Sequence, residues 1–334
     1  MPEAAVVPPS PPAASGVRPR LAGIGTALPA TAVPSAEIAA RLGVEPGWIE
    51  QRTGVERRHI AGDGDSLTAL AAAAAERALA VADVDPADVD LVLVATFTAD
   101  RLLPNAAPLV ADAIGSRGAF ACDLGAACAG FLSGLSLACG QIESGRAGAA
   151  LVIGADLVSR VIDPDDRKTA GLFGDGAGAA VLTGDGAGDG AIERILLRSD
   201  ARRSESIVAG RDERLMRMRG QDTFRAAVGA LTEVTAELLE AEGLRTDEVD
   251  LFVYHQANAR ITAAVGDRLG LPRERVVDCI AELGNTSAAT IPLALAHADC
   301  ARLLRPGSRL LLGAFGAGFV WGAGLLRWEG DVAW

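Results

Sequence analysis

The segment "ADVDLVLVATF", Ala87 to Phe97, recurs as "DEVDLFVYHQA", Asp247 to Ala257, 160 residues further on. Each copy sets a Val-Asp-Leu step at the entrance to a short apolar run, and each follows a helical stretch. Downstream, each copy has a glycine followed by small residues that enter a helix: "GAACAGFLSGLSLA" from Gly125 and "GNTSAATIPLALA" from Gly284. Each then reaches a Gly-Ala-Gly strand, "GDGAGAAVL" from Gly174 and "GAFGAGFVWGAGLL" from Gly313. Three matches in the same order predict a duplicated α/β unit.

The other apolar runs agree. "AALVIGAD" (149–156), "GAAVLTG" (178–184) and "RLLLGAFG" (309–316) are apolar on both faces, which predicts sheets covered on both sides. Helices are predicted over 66–84, capped by Ser66, and over 222–244, ending at a glycine. The expected organisation is a tail over 1–20, with prolines where a secretory signal would be apolar, one half over 21–184 and a second over 185–334.

Composition narrows the function. The chain has 334 residues and a net charge of −12, which argues against nucleic acid and anionic membrane as main partners. No run is long and apolar enough to span a bilayer. Lys168 is the sole lysine among 31 basic residues. Five cysteines, none in a CxxC pair, and three histidines make a zinc site unexpected and fit a reducing cytoplasm. Cys122, Cys139, Cys279 and Cys300 read as core residues, His59 as a surface residue and His297 as packed or half exposed.

A duplicated unit implies pseudo-twofold packing in which corresponding helix N-termini meet. Cys128 lies in the first such segment and Asn285 in the second; His255 follows the second Val-Asp-Leu strand. A thiol at a helix N-terminus feels the positive end of the macrodipole, which favours thiolate. Gly125 and Gly130 would leave room for a substrate, and a histidine and an asparagine could donate to a developing oxyanion. These residues alone leave a nucleophilic and a structural cysteine both open. A Cys–His–Asn set also occurs in papain-like proteases, but with an early cysteine and no duplicated sheet. "GDGAGAAVL" lacks the lysine of a phosphate loop.

Further stretches carry a resemblance. "ACDLGAACAGF", "HQANARI", "GNTSAATIPLAL", "FGDGAGAAVL" and "AFGAGFVWGAGLLRW", with "GWIEQRTGVERRHIA" (47–61), together resemble the thiolase superfamily. Within it the chain is similar to β-ketoacyl-acyl-carrier-protein synthase III, the priming ketosynthase, over nearly its whole length after residue 20. The resemblance implies an α/β fold, a thiolase-like five-layer αβαβα sandwich, in a homodimer with no metal and no bound cofactor. Coenzyme A thioesters and a phosphopantetheine carrier protein are the implied substrates and partners.

Site residues follow by motif. The resemblance makes Cys128 the nucleophile that takes an acyl group from acyl-CoA. His255 and Asn285 then hold the malonyl thioester carbonyl and stabilise the enolate left by decarboxylation. Backbone N–H groups at Cys128 and in Phe315, Gly316, Ala317 and Gly318 form a second oxyanion hole. Trp48, Arg52 and Arg167 resemble the residues that hold coenzyme A. Some relatives instead pass the acyl group to an alcohol or amine, or join two β-ketoacyl chains. A non-catalytic partner subunit would lack the active cysteine.

Two departures bear on specificity. The span "RSDARRSESIVAGRDERLMR" is shorter and richer in arginine than the corresponding family segment, which helps cap the site. Leu103 stands where relatives often place a bulky aromatic that closes the partner's acyl pocket. Both imply acyl groups larger than acetyl and a role in polyketide or other specialised synthesis. Residues 193–225 hold nine arginines against six acids. Arg219 and Arg225, with Arg260, are the candidate docking residues for an acidic carrier protein.

Overall fold

Every residue of Leu91–Ala95 and Ala149–Leu157 is buried, so these strands must be covered on both faces. The computed structural model describes residues 17–184, 191–210, 212–213 and 215–328. In chain order the strands and helices are β1 (Arg20–Ala27), β2 (Thr31–Pro34), α1 (Ser35–Arg41), α2 (Trp48–Thr53), β3 (Arg57–Ile60), α3 (Leu67–Ala82), β4 (Leu91–Ala95), α4 (Ala106–Ile114), β5 (Phe120–Leu124), α5 (Gly130–Glu143), β6 (Ala149–Leu157) and β7 (Asp175–Thr183). There follow β8 (Ile192–Ser199), β9 (Ile207–Ala209), β10 (Met216–Met218), α6 (Gly220–Ala241), β11 (Leu251–Tyr254), α7 (Ala259–Leu269), α8 (Ile280–Leu283), α9 (Thr290–Cys300), β12 (Arg309–Gly316) and β13 (Val320–Arg327).

Two mixed sheets form, ordered β1-β7-β6-β4-β5 and β11-β12-β13-β8. The period of two sorts their side chains into layers. Leu91, Leu93, Ala150 and Val152 face inward onto α5 and α9, together with Leu251, Leu310 and Leu312 of the second sheet. Val92, Val94, Leu151 and Ile153 face outward onto α3 and α4. Phe252, Tyr254, Leu311 and Leu325 face α6 and α7 on the far side. The result is five layers: helices, sheet, helices, sheet, helices.

The repeat persists in the strand register. Leu91 pairs in parallel with Ala150, and 160 residues on, Leu251 pairs in parallel with Leu310. The halves diverge where the first sheet has its edge strand β5: in the second sheet that position is a single bridge, Phe252 to Val276.

The predicted helices stand with small shifts. Ser66 Oγ accepts the Ala69 N–H at 3.1 Å and starts α3. The helix predicted from residue 222 begins two residues earlier, at Gly220, and stops at Ala241, before left-handed Gly243. The expected tail is fastened at its end: Val17 packs on the core, the Pro19 carbonyl accepts the Ile192 N–H, and β1 starts at Arg20. Residues 1–16 lie outside the described residues.

One cysteine departs from the core reading. Cys139 and Cys279 are buried and half-buried Cys122 packs against the same core, but Cys300 is exposed. Cys300 ends α9 off the face through which Leu293, Leu295 and Ala298 pack. His59 is half-buried rather than at the surface, with Nδ1 2.6 Å from the Pro29 carbonyl.

Candidate active site

Strand β5 gives way at Ala127–Ala129 to a 3-10 turn that feeds α5, and Cys128 sits at its centre. The turn opens with Ala127 in the left-handed region, φ 45°. The corresponding turn, Ser287–Ala289 before α9, opens with Ser287 at φ 53°. A non-glycine residue there is strained, and the strain recurs at positions 160 apart. It aims both turns at the space between the sheets.

Small residues make the approach possible. A Cβ at Gly154 would lie 2.2 Å from the Ala288 carbonyl oxygen. One at Gly316 would lie 2.9 Å from the Cys128 and Ala129 backbone nitrogens. Gly130 differs from expectation: a Cβ there would meet Ala95 Cβ at 2.8 Å, so it serves packing against β4 rather than substrate access. Gly125 is the open one, with nothing within 4 Å of a built Cβ.

Asn285 is held by backbone on both sides. Its N–H donates to the Leu172 carbonyl and its carbonyl accepts from the Gly174 N–H, each at 3.0 Å. Its Oδ1 accepts the Ser287 N–H at 2.9 Å, which fixes the amide orientation and leaves the NH₂ end as the free donor. His255 follows β11, and its N–H donates to the Gly313 carbonyl at 2.7 Å. The neighbouring Gln256 locks that corner, donating to the Tyr254 and Val277 carbonyls and accepting the Cys279 N–H.

Cys128, His255 and Asn285 line one cavity of about 900 Å³. Phe315, Gly316 and Ala317 line it too; Gly318 does not. His255 is buried, its Nδ1 has no hydrogen-bond partner, and burial pushes its pKa down to about 3. It is therefore a neutral imidazole with one N–H to donate.

The thiol departs from the helix-terminus expectation. Burial pushes the Cys128 pKa up to about 12; the Asp156 carboxylate adds to the rise and the Ser287 hydroxyl opposes it. Desolvation outweighs the turn's dipole. Asp156 itself is fully buried. Its Oδ1 accepts from Thr96 Oγ1, the Phe97 N–H and Thr98 Oγ1 at 2.9–3.0 Å, and its Oδ2 accepts the Ala288 N–H at 3.4 Å. Burial still raises its pKa to about 6.

Trp48, Arg52 and Arg167 all reach the same cavity. The Arg52 guanidinium lies 4.2 Å over the Trp48 ring, and Arg167 Nη2 donates to the Leu42 carbonyl at 3.1 Å. Leu103 does not line the cavity of its own chain. It is 82% exposed, while its neighbour Leu102 does line it.

Arg219 and Arg225 are exposed at the start of α6, whose Gly220, Thr223 and Phe224 line the cavity. Arg260 Nη2 donates to the Gln51 carbonyl at 2.8 Å, beside the cavity residues Asn258 and Ile261. Five of the arginines counted over 193–225 are held in ion pairs once the chain is folded. Arg194 pairs with Glu242, Arg198 with Glu237, Arg202 and Arg203 with Asp200, and Arg217 with Glu213. Arg211 and Arg214 lie outside the described residues.

Several lining residues escaped the sequence reading. The short span predicted to leave the site open forms the β9–β10 hairpin, and Ile207, Val208, Met216 and Met218 wall the cavity. The period-two pattern of "MRM" was the available signal.

Two family models match, described as 3-oxoacyl-[acyl-carrier-protein] synthase III over residues 122–201 and its C-terminal part over 239–328. The chain is 44% identical over 323 residues to β-ketoacyl-[acyl-carrier-protein] synthase III 3 of Streptomyces coelicolor, covering 92% of this chain and 96% of that relative. Among solved structures, 3-oxoacyl-(acyl carrier protein) synthase III of Pseudomonas aeruginosa superposes with TM-score 0.91 at 43% identity, covering 95% of this chain and 100% of that one. The priming β-ketosynthase of the R1128 polyketide pathway superposes with TM-score 0.89 at 33% identity, covering 94% and 97%.

Proposed function

The chain belongs to the β-ketoacyl-[acyl-carrier-protein] synthase III family of condensing acyltransferases, and from that membership we propose a two-stage reaction centred on Cys128. In the first stage Cys128 Sγ attacks the carbonyl of an acyl-CoA, the bond to the coenzyme A sulfur breaks, and an acyl-enzyme forms. The N–H of Cys128 and the Phe315–Ala317 backbone stabilise the oxyanion. In the second stage a malonyl carrier protein presents its thioester carbonyl to His255 and Asn285. Carbon dioxide leaves, the two side chains hold the enolate oxygen, and the carbanion attacks the acyl-cysteine to give a β-ketoacyl carrier protein.

The observation that carries this reading is the convergence of Cys128, His255 and Asn285 on one cavity. Neutral donors suit an enolate: they lower its energy without protonating its carbon. Removing one such donor typically costs about 10²–10³ in rate.

The same reading covers binding. Trp48, Arg52 and Arg167 take the adenine and phosphates of coenzyme A, because a guanidinium fork binds phosphate bidentately. Arg219, Arg225 and Arg260 flank the opening and receive the acidic carrier protein. The enzyme works as a homodimer in the cytoplasm. Exposed Leu102, Leu103 and Phe120, the last on edge strand β5, support an apolar contact between copies, in which Leu103 borders the partner's acyl pocket.

The acyl donor is larger than acetyl, and the pathway is polyketide or another specialised synthesis. The cavity of about 900 Å³ and its apolar wall of Phe97, Ile207, Met216, Met218 and Phe224 support this. The test combines a panel of acyl-CoA thioesters with malonyl carrier protein. A β-ketoacyl carrier protein with release of carbon dioxide, fastest with acyl groups longer than acetyl, is expected. Coenzyme A release without a condensed product would contradict the second stage, and strict preference for acetyl would contradict the donor assignment.

A further inference from the structure

Besides the neutral His255, three ionisable polar side chains are buried among the described residues: Arg58, Asp156 and Asp175. The carboxylates are met by nearby donors. Those of Asp156 are described above; Asp175 accepts from the Ala61 N–H and from the N–H and hydroxyl of Ser159. Arg58 is the buried cation of the set. Burial pushes its pKa down to about 10, so it remains charged at pH 7. Among the described residues it has no ion-pair partner, and its fork is held by neutral acceptors. A buried charge without a counter-ion is a costly way to fill space.

The acceptors lie on three separate stretches of chain. Arg58 Nη2 donates to the Gly171 carbonyl at 2.7 Å and to Ser35 Oγ at 2.9 Å, and Nη1 donates to the Val33 carbonyl at 3.3 Å. Gly171 leads directly into Leu172–Gly174, which forms a parallel bridge with Asn285 through Phe173. The bonds of that bridge are the ones that hold Asn285 by its backbone, from its N–H to the Leu172 carbonyl and from the Gly174 N–H to its own carbonyl. The Arg58 stem packs against both sides of the bridge. A Cβ on Gly174 would lie 3.0 Å from Arg58 Cβ, and one on Gly284 3.3 Å from it. The chain entering Asn285 is tied to the same place: the Glu56 N–H donates to the Ala281 carbonyl at 2.9 Å, and Arg57 pairs with Glu282. Both partners lie on α8, which ends just before Gly284. Strand β3 and the residue before it thus hold the two segments that meet at Asn285, one through Arg58 and one through α8.

We propose that Arg58 is a positioning residue for Asn285: by holding the Gly171 carbonyl it fixes the segment whose Leu172 and Gly174 place the Asn285 amide in the cavity. Arg58 does not line the cavity and touches no substrate. It acts on the second stage, in which the Asn285 NH₂ meets the malonyl thioester oxygen. The turn that carries Cys128 packs against Gly316 instead, so acyl loading does not pass through Arg58. Without the fork, the Gly171 carbonyl loses its buried donor and the bridge to Asn285 loses one of its two supports. A displacement of about 1 Å in a reacting group can cost on the order of 10²-fold in rate.

This inference rests on Asn285 as a donor to the malonyl thioester, and its test separates the two. Arg58→Met, Arg58→Lys, Asn285→Asp and the double variant of Arg58→Met with Asn285→Asp are compared with wild type. The readouts are carbon dioxide release at saturating malonyl carrier protein, the coenzyme A burst from acyl-CoA, and thermal melting. Methionine keeps an apolar stem and removes the fork. Arg58→Met should lower decarboxylation on the order of 10²-fold and leave loading within a few-fold of wild type. Arg58→Lys, which keeps the cation with a single head, should fall between the two. The double variant distinguishes positioning from a general loss of structure. A residue that acts through Asn285 adds little once that donor is gone, so the double variant should decarboxylate within a few-fold of Asn285→Asp. Unchanged decarboxylation in Arg58→Met, equal losses in loading and decarboxylation, or losses that multiply in the double variant each overturn the proposal. If Arg58→Met fails to melt cooperatively, Arg58→Lys decides, alone and combined with Asn285→Asp: a loss confined to decarboxylation supports the role, and wild-type decarboxylation or equal losses reject it. Undiminished decarboxylation in Asn285→Asp would refute the reading of Asn285 and this role with it. A loss there without one in Arg58→Met would refute the role of Arg58 alone.

Discussion

Asn285 Oδ1 accepts the backbone N–H of Ser287 at 2.9 Å, so the carbonyl end of the amide is spent inside its own turn and the NH₂ end is the one left for substrate. The pair makes an Asx-type turn that carries strained Ser287 into α9. Replacing Asn285 by aspartate keeps the internal acceptor and removes the donor. Decarboxylation of malonyl carrier protein should fall by about 10²–10³. Acyl loading of Cys128 should stay within a few-fold of wild type. Carbon dioxide release and the coenzyme A burst, measured side by side, check the split; equal losses in both would reject it.

The pKa of His255 lies at about 3, below the ordinary 6.5, because burial penalises the imidazolium. Between these values the unfolded chain binds the proton and the folded chain does not. His255 therefore withdraws stability as pH falls below 6.5. Asp156 has the opposite sign: its raised value of about 6 gives stability that is present below 3.8 and lost as pH rises through 6. Urea midpoints across pH 4–8 should show both. The acid-side fall should flatten in His255→Gln, and the loss on rising through pH 6 should flatten in Asp156→Asn. Unaltered profiles in both variants would show that these groups are not buried as described.

Gly316 faces the nucleophile's backbone. A Cβ there would stand 2.9 Å from the Cys128 and Ala129 nitrogens and 3.0 Å from the Ala126 carbonyl oxygen, all backbone atoms that cannot rotate away. Gly316→Ala should cost about 1–3 kcal/mol of stability. It should also abolish acyl loading, because the turn that aims Cys128 must shift. A denaturation curve and a coenzyme A burst on the same preparation test this; normal loading would mean that the turn tolerates displacement.

Arg219 and Arg225 are exposed at the edge of the cavity and, among the described residues, have no ion-pair partner, unlike Arg194 and Arg198 nearby. Reversing both to glutamate should raise the KM for malonyl carrier protein by about tenfold at low salt, through weakened steering. Loading from acyl-CoA should change little. The effect should fade as salt rises. An unaltered carrier-protein KM at low salt would remove this surface from the docking account.

The architecture was legible wherever side-chain period and repeat coincided. The Val-Asp-Leu repeat located β4 and β11, and their pairing registers carry the same offset of 160. Strand β1 was harder to see, because "RLAGIGTA" is built from small residues without a strand's usual β-branched character. That Cys128, His255 and Asn285 would meet was legible from their places in the repeat, and they line one cavity; their roles are what the family resemblance implies. The ionisation of Cys128 was not legible. A helix terminus predicts a lowered pKa, whereas burial first, and then the sequence-distant Asp156, push it up. Neither depth nor a neighbour 28 positions away can be read from a linear pattern. The methionine wall was missed for a similar reason: Met216 and Met218 acquire their role only when the β9–β10 hairpin folds over the cavity. Leu103, expected to close the partner's acyl pocket, is exposed and does not line its own chain's cavity.

The central claim is that one thiol of five carries the acyl group. Cys139 and Cys279 are buried in the core, Cys122 lies on an edge strand and Cys300 at an exposed helix end; only Cys128 lines the cavity that also holds His255 and Asn285. The direct measurement is intact-protein mass spectrometry after exposure to an acyl-CoA, followed by peptide mapping of the acyl-enzyme. One acyl group per chain, located on Cys128 in "DLGAACAGF" and lost in Cys128→Ala, is the predicted result. Label on Cys122 or Cys139, or label that persists in Cys128→Ala, would contradict it.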